Sequence, residues 1–115
     1  MNKTLKLLRA GFQTSCEKTP EFKAFARTFR SELNKELKSI GATDIKYSVG
    51  HFIISGFYTL DNRAWYFSLS DVRFFPDERL MYRKAENYQD YTGGVNRQVK
   101  IEPGMAQKLE RVPCL

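Results

Sequence analysis

Histidine occurs once in this sequence, as His51, and cysteine twice, as Cys16 and Cys114 near opposite ends. That scarcity leaves little room for metal chemistry, because zinc sites need three or four Cys, His or carboxylate ligands at short spacings. No metal and no cofactor is expected. A Ser-His-Asp or Cys-His relay would rest wholly on His51, which stands beside Phe52 in an apolar run, with both cysteines in weakly patterned segments. A structural or surface histidine is the better reading. A glycine-rich phosphate loop with its lysine is also missing. Thr92-Gly93-Gly94-Val95-Asn96-Arg97 lacks that spacing and offers only a possible nest of backbone amides for an anion. The acidic-x-lysine strand of a restriction-type nuclease is absent too: Asp71 supplies a first carboxylate, but Tyr82-Arg83-Lys84 brings no acidic partner. Asp71 itself, with Arg73 two positions on, reads as half of an internal pair or as bonded to a neighbouring turn. These absences point away from an enzyme.

No apolar run approaches the roughly 20 residues that cross a bilayer as a helix, and no charged start leads into an apolar segment with a cleavage site. Two cysteines without a framework read as free thiols of a cytoplasmic protein. No repeat, low-complexity tract or long linker divides the chain, so residues 1–115 are expected to form a single domain. With 42% hydrophobic and 28% charged residues the composition is that of a folded globule rather than a disordered chain.

What the sequence does have is a central aromatic block. Residues 51–60 and 64–75 are rich in β-branched and aromatic side chains and are joined by Asp61-Asn62-Arg63, which predicts a β-hairpin with a loop of about three residues. Neither run alternates cleanly. Ile53 and Phe57 oppose Phe52, Ile54 and Tyr58, while Trp65, Phe67 and Leu69 oppose Tyr66, Val72 and Phe74. Such strands are central, or have both faces packed. Upstream, Thr19-Pro20-Glu21 is a helix start: a hydroxyl to cap free amides, a proline at the first helical position and an acid at the positive dipole end. Phe22, Phe25, Ala26, Phe29, Leu33, Leu37 and Ile40 then recur at steps of three and four, which makes one apolar stripe on a helix over 19–40, stopped by Gly41. A weaker helix is predicted over 1–10. Ile45 to Val49 alternates as a strand, Gly50 marks a bulge or tight turn, and Gly56 marks close backbone approach. Leu80 to Ala85 reads as a strand nearer the edge, 95–101 as a last strand or extended arm, and 104–112 as a possible terminal helix. The fold class expected is α+β: an antiparallel sheet of about four strands with one long amphipathic helix packed on a face. Its element order resembles the double-stranded RNA-binding domain in topology alone, because Pro103-Gly104-Met105-Ala106 stands where such domains carry lysines.

The net charge is +6, unevenly spread. Residues 1–40 carry nine Lys or Arg against four Glu, residues 41–78 three against five acids, and residues 79–115 seven against four. Basic ends around a mildly acidic centre suit a polyanion, so nucleic acid is a possible partner. On the long helix, Lys23, Arg27, Arg30 and Lys38 form the candidate phosphate-contacting face. A second set mixes aromatic and basic side chains: Tyr82, Arg83, Lys84, Tyr88, Tyr91 and Arg97, a combination suited to anchoring a protein or nucleoprotein target, or to stacking bases.

The phrases Ser39-Ile40-Gly41-Ala42, Gly50-His51-Phe52, Ser55-Gly56-Phe57, Trp65 through Arg73 and Asp90-Tyr91-Thr92-Gly93-Gly94 resemble a group of small uncharacterised proteins of phages and conjugative elements of Gram-positive and gut bacteria. The resemblance spans roughly residues 39–97 and carries no catalytic signature. It implies a setting in which small accessory proteins counter host defence, as anti-CRISPR and antirestriction proteins do, or regulate the element's own DNA. The first expectation is therefore an inhibitor that binds a host defence nuclease or its guide complex; the alternative is a basic nucleic-acid-binding regulator. The positive charge sets it apart from inhibitors that mimic DNA with acidic surfaces.

Overall fold

A computed structural model of the chain describes residues 1–10, 19–50, 53–69, 78–90 and 94–110. Expectations that rest on His51, Asp71, Arg73, Tyr91, Cys16 or Cys114 lie outside these residues. The elements are α1 (Asn2–Arg9), α2 (Pro20–Ser39), β1 (Thr43–Gly50), β2 (Ile53–Leu60), β3 (Arg63–Leu69), β4 (Arg79–Ala85), β5 (Arg97–Lys100) and a one-turn 3-10 helix (Met105–Lys108). The strands form an antiparallel meander in the order β1-β2-β3-β4-β5. The α+β class is as expected, with five strands among the described residues where about four were expected: 95–101 contributes the edge strand β5 and places β4 one position inside it.

α2 begins and ends as its sequence dictates. The Thr19 hydroxyl accepts a hydrogen bond from Phe22 N at 3.2 Å. At the other end Ala42 N donates to Leu37 O and Gly41 N to Lys38 O, with Gly41 at φ 91°. This is the paired-bond stop that a left-handed residue after the helix allows, and glycine enters it without steric cost. Phe22, Phe25, Ala26, Phe29, Leu33 and Leu37 are all buried. They meet one face of the sheet, where alternation brings together Ile54, Tyr58 and Leu60 of β2, Trp65, Phe67 and Leu69 of β3, Leu80 and Tyr82 of β4 and Val99 of β5. Tyr58 and Trp65, paired across β2 and β3, stack with centroids 6.4 Å apart.

The β2–β3 connection corrects the predicted three-residue loop. Leu60 pairs with Arg63, which leaves only Asp61 and Asn62 to turn, both at positive φ. Two left-handed residues make the hairpin turn whose twist matches that of the strands, and Asp and Asn tolerate it. Of the bulge or tight turn expected at Gly50, the pairing fits the turn: Gly50, the last residue of β1, pairs with Ile53, the first of the antiparallel β2, while the register shift lies between Thr43 and Lys46, where Asp44 has φ 50°. Of the helix expected over 104–112, the described residues, which end at 110, form the single turn Met105–Lys108.

α1 is held to α2 by a carboxylate. Glu32 accepts from Thr4 N at 2.6 Å, Thr4 Oγ1 at 2.7 Å and Lys3 N at 3.4 Å, and its Oε2 is 3.5 Å from the Met1 amine. These amides are the ones a helix start leaves without partners. Desolvation pushes the Glu32 carboxyl up, but the Thr4 hydroxyl and amide, the amine and the Lys3 amide together hold it below the ordinary glutamate value. A depressed acid stabilises above its unfolded pKa of roughly 4.3 and loses that contribution as pH falls through the folded value. Denaturant unfolding of wild type and Glu32→Gln should therefore differ most near neutrality, and the difference should shrink as pH falls from the unfolded glutamate value through the lower folded value of Glu32. A gap that stays constant with pH would contradict this role.

Candidate nucleic-acid interface

The second face of the sheet, opposite α2, follows from the same register. Its middle row runs Lys46, Phe57, Tyr66, Arg83 across β1 to β4. Beside it lies Ser48, Ser55, Ser68, Met81, Gln98, and towards the outer ends Thr59, Ala64, Ala85, Arg79 and Lys100. Among these positions Lys46, Arg79, Arg83 and Lys100 are cationic and none is Asp or Glu.

The aromatic members are fixed rather than loose. Tyr88, in the segment after β4, lies over Phe57 with ring centroids 5.2 Å apart at 14°, and Phe57 meets Tyr66 edge-on at 5.3 Å. The Tyr88 hydroxyl donates to Asp44 O at 2.8 Å, so its 2.5 Å contact with Thr59 Oγ1 is one it accepts. Burial raises this phenol above its usual pKa, the bond with Thr59 opposes that and the charge of Asp44 adds to it; the group stays a neutral donor. Cations cap both ends of the row: Lys46 Nζ sits 5.7 Å from the Tyr88 centroid and the Arg83 guanidinium 4.5 Å from that of Tyr66. Arg83 also donates to Asn96 Oδ1 at 3.1 Å. A pocket of about 160 Å³ opens beside this row, lined by Lys46, Ser48, Phe57 and Tyr88 with Tyr47 and Gly56. Tyr66, Tyr88 and Arg83 are half-buried and Lys46 is exposed.

Strand alternation splits the aromatic-basic set predicted from sequence. Arg83 and Tyr88 belong to the second face. Tyr82 is only 4% exposed, lies on the α2 side and accepts from Glu110 N, so it is a core residue and not a surface anchor. Lys84 pairs with Trp65 on that same side. Arg97 is held by an ion pair to Glu110, donates to Val95 O and lies 5.8 Å from the Trp65 centroid. Lys46 and Tyr66 were not anticipated; the signal was parity, since Phe57 and Tyr66 oppose the residues that face the helix.

On α2, Lys23, Arg27 and Lys38 are exposed and Arg30 is half-buried, its carbonyl 3.3 Å from the Tyr47 hydroxyl. Two acids of this helix are turned away to structural tasks. Glu32 serves α1, and Glu36 accepts from Gly104 N at 3.2 Å and Ala106 N at 3.0 Å.

Among the described residues no three His, Cys, Asp or Glu side chains are gathered to hold a metal. None of the described helices is long and apolar enough to cross a membrane. No family model, curated protein or solved structure matches this chain.

Proposed function

We propose that this chain is a non-enzymatic nucleic-acid-binding accessory protein of a phage or conjugative element, acting in the cytoplasm through the second face of its sheet. The observation that carries this reading is the make-up of that face: fixed aromatic rings flanked by Lys46, Arg79, Arg83 and Lys100, with Asp44, at the irregular start of β1, the carboxylate whose charge reaches Tyr88 among the described residues. Cations supply phosphate contacts by counterion release, and Tyr66 and Tyr88 offer ring surface on which unpaired bases stack. Single strands are the favoured form, because a base inside a duplex hides its face. Titration of labelled oligonucleotides at two salt concentrations tests this. Wild type should bind single strands more tightly than a duplex of equal length, with an affinity that falls steeply with salt. Lys46→Glu and Arg83→Glu should each weaken binding and reduce the salt slope by about one. Binding that ignores salt, or ignores both substitutions, would overturn the reading.

A protein-directed reading is supported by the Tyr66–Arg83 pair, since tyrosine and arginine dominate interface energies. On it the chain inhibits a host defence nuclease or its guide complex, as anti-CRISPR proteins do. It predicts weak binding to bare nucleic acid, tight binding to the nucleoprotein and a large loss for Tyr66→Ala.

A further inference from the structure

We infer that the protein carries a second phosphate-binding site on the outer side of α2 and can therefore bridge two nucleic-acid segments. The inference rests on the reading of the sheet face given above. A recess of about 300 Å³ lies between the two helices, lined by Lys3, Arg27, Thr28, Ser31, Glu32 and Lys35. Three cations and two hydroxyls are the donors a phosphodiester accepts from, and among the described residues the carboxylate in the recess is that of Glu32. That carboxylate is already committed: its oxygens take the amides and hydroxyl at the start of α1 and the nearby amine. Lys23 and Lys38 extend the positive surface along the helix, while Glu36 faces the 3-10 turn instead. The phosphate class fits because the recess offers charge and hydroxyls but no aromatic ring, so it reads backbone and not bases. Since α2 covers the other face of the sheet, the recess and the aromatic row look in opposite directions. One short strand cannot occupy both without wrapping the domain; two segments can.

The test uses the full chain, shown by light scattering to be monomeric at the working concentration. A biotinylated single-stranded oligonucleotide, too short to wrap the domain, is fixed on beads, protein is bound, and a fluorescent oligonucleotide of the same length is added at low salt. Wild type should retain the fluorescent strand and release it as salt rises. Arg27→Glu/Lys35→Glu, both exposed positions, should keep binding the first strand while retention of the second falls at least about tenfold. Calorimetric stoichiometry gives an independent reading: two short strands per wild-type chain and one per variant. A protein that binds one strand and never retains another overturns the inference and leaves the sheet-face reading standing. Retention that persists in the variant, as a dimer joining two sheet faces would give, also overturns it. If neither strand binds, the underlying reading fails with it.

Discussion

Phe29→Ala is expected to lower the unfolding free energy by about 3–5 kcal/mol, the usual cost of emptying a buried phenylalanine site. Phe29 is 0% exposed and stands midway along the α2 stripe. Its ring stacks on Phe25 with centroids 6.3 Å apart at 10°. Truncation removes that contact and leaves a cavity between helix and sheet that neighbouring rings, already interlocked, can fill only in part. Domains of this size hold about 5–15 kcal/mol in all, so the variant should sit close to its unfolding threshold. Urea unfolding at 25 °C measures the loss. A change below about 1 kcal/mol would mean that α2 does not pack on the sheet as described.

Gly56→Ala should be as damaging, by the opposite route. A Cβ at this position would lie 1.9 Å from the Lys46 carbonyl oxygen and 2.8 Å from Phe67 Cζ. The first neighbour is backbone and cannot rotate away, so β1 must part from β2 where Tyr47 pairs with Gly56. Overpacking costs about 1–3 kcal/mol where side chains can yield, and more where they cannot. A loss at or above that upper figure is expected, with faster amide exchange along β1. On the proposed nucleic-acid reading, oligonucleotide affinity should fall even in molecules that remain folded, because Lys46 sits on the displaced strand. Near-wild-type stability would show that the two strands lie farther apart than the structure has them.

Much of the scaffold was legible because its signals are local. Thr19 as cap, the stripe from Phe22 to Leu37 and Gly41 as stop depend on neighbours within one helical turn. The same holds for Gly56, whose place inside an apolar strand announced close approach. The turn at Asp61-Asn62 was misjudged by one residue because neither is glycine, yet both adopt positive φ. The candidate site was half legible. Tyr88 and Arg83 stood out by residue type, but assigning Tyr82 to the same surface ignored the alternation that sends neighbouring side chains to opposite faces. Tyr66 could have been found by parity; the contact of Tyr88 with Phe57 could not, since it depends on how the chain returns after β4. The basic face of α2 was legible at Lys23, Arg27, Arg30 and Lys38, but the tasks of its acids were hidden. In sequence Glu32 and Glu36 break up the basic run, and only long-range partners, residues 3–4 and 104–106, draw them off it.

The order β1-β2-β3-β4-β5 has a kinetic side. Among the described residues each strand pairs with its neighbours in sequence, so the sheet grows hairpin by hairpin, each step joining segments near in the chain at small entropic cost. The clasp from Glu36 to Gly104 and Ala106 is different, spanning 68 and 70 residues. It cannot form until the meander has brought the last strand alongside the helix. Assembly thus has a natural order: hairpins early, helix docking on the growing sheet, and the clasp as the closing event. The same order in reverse makes the 3-10 turn the first part to let go, which would bare the Glu36 carboxylate and soften the positive field of α2 before the core is disturbed.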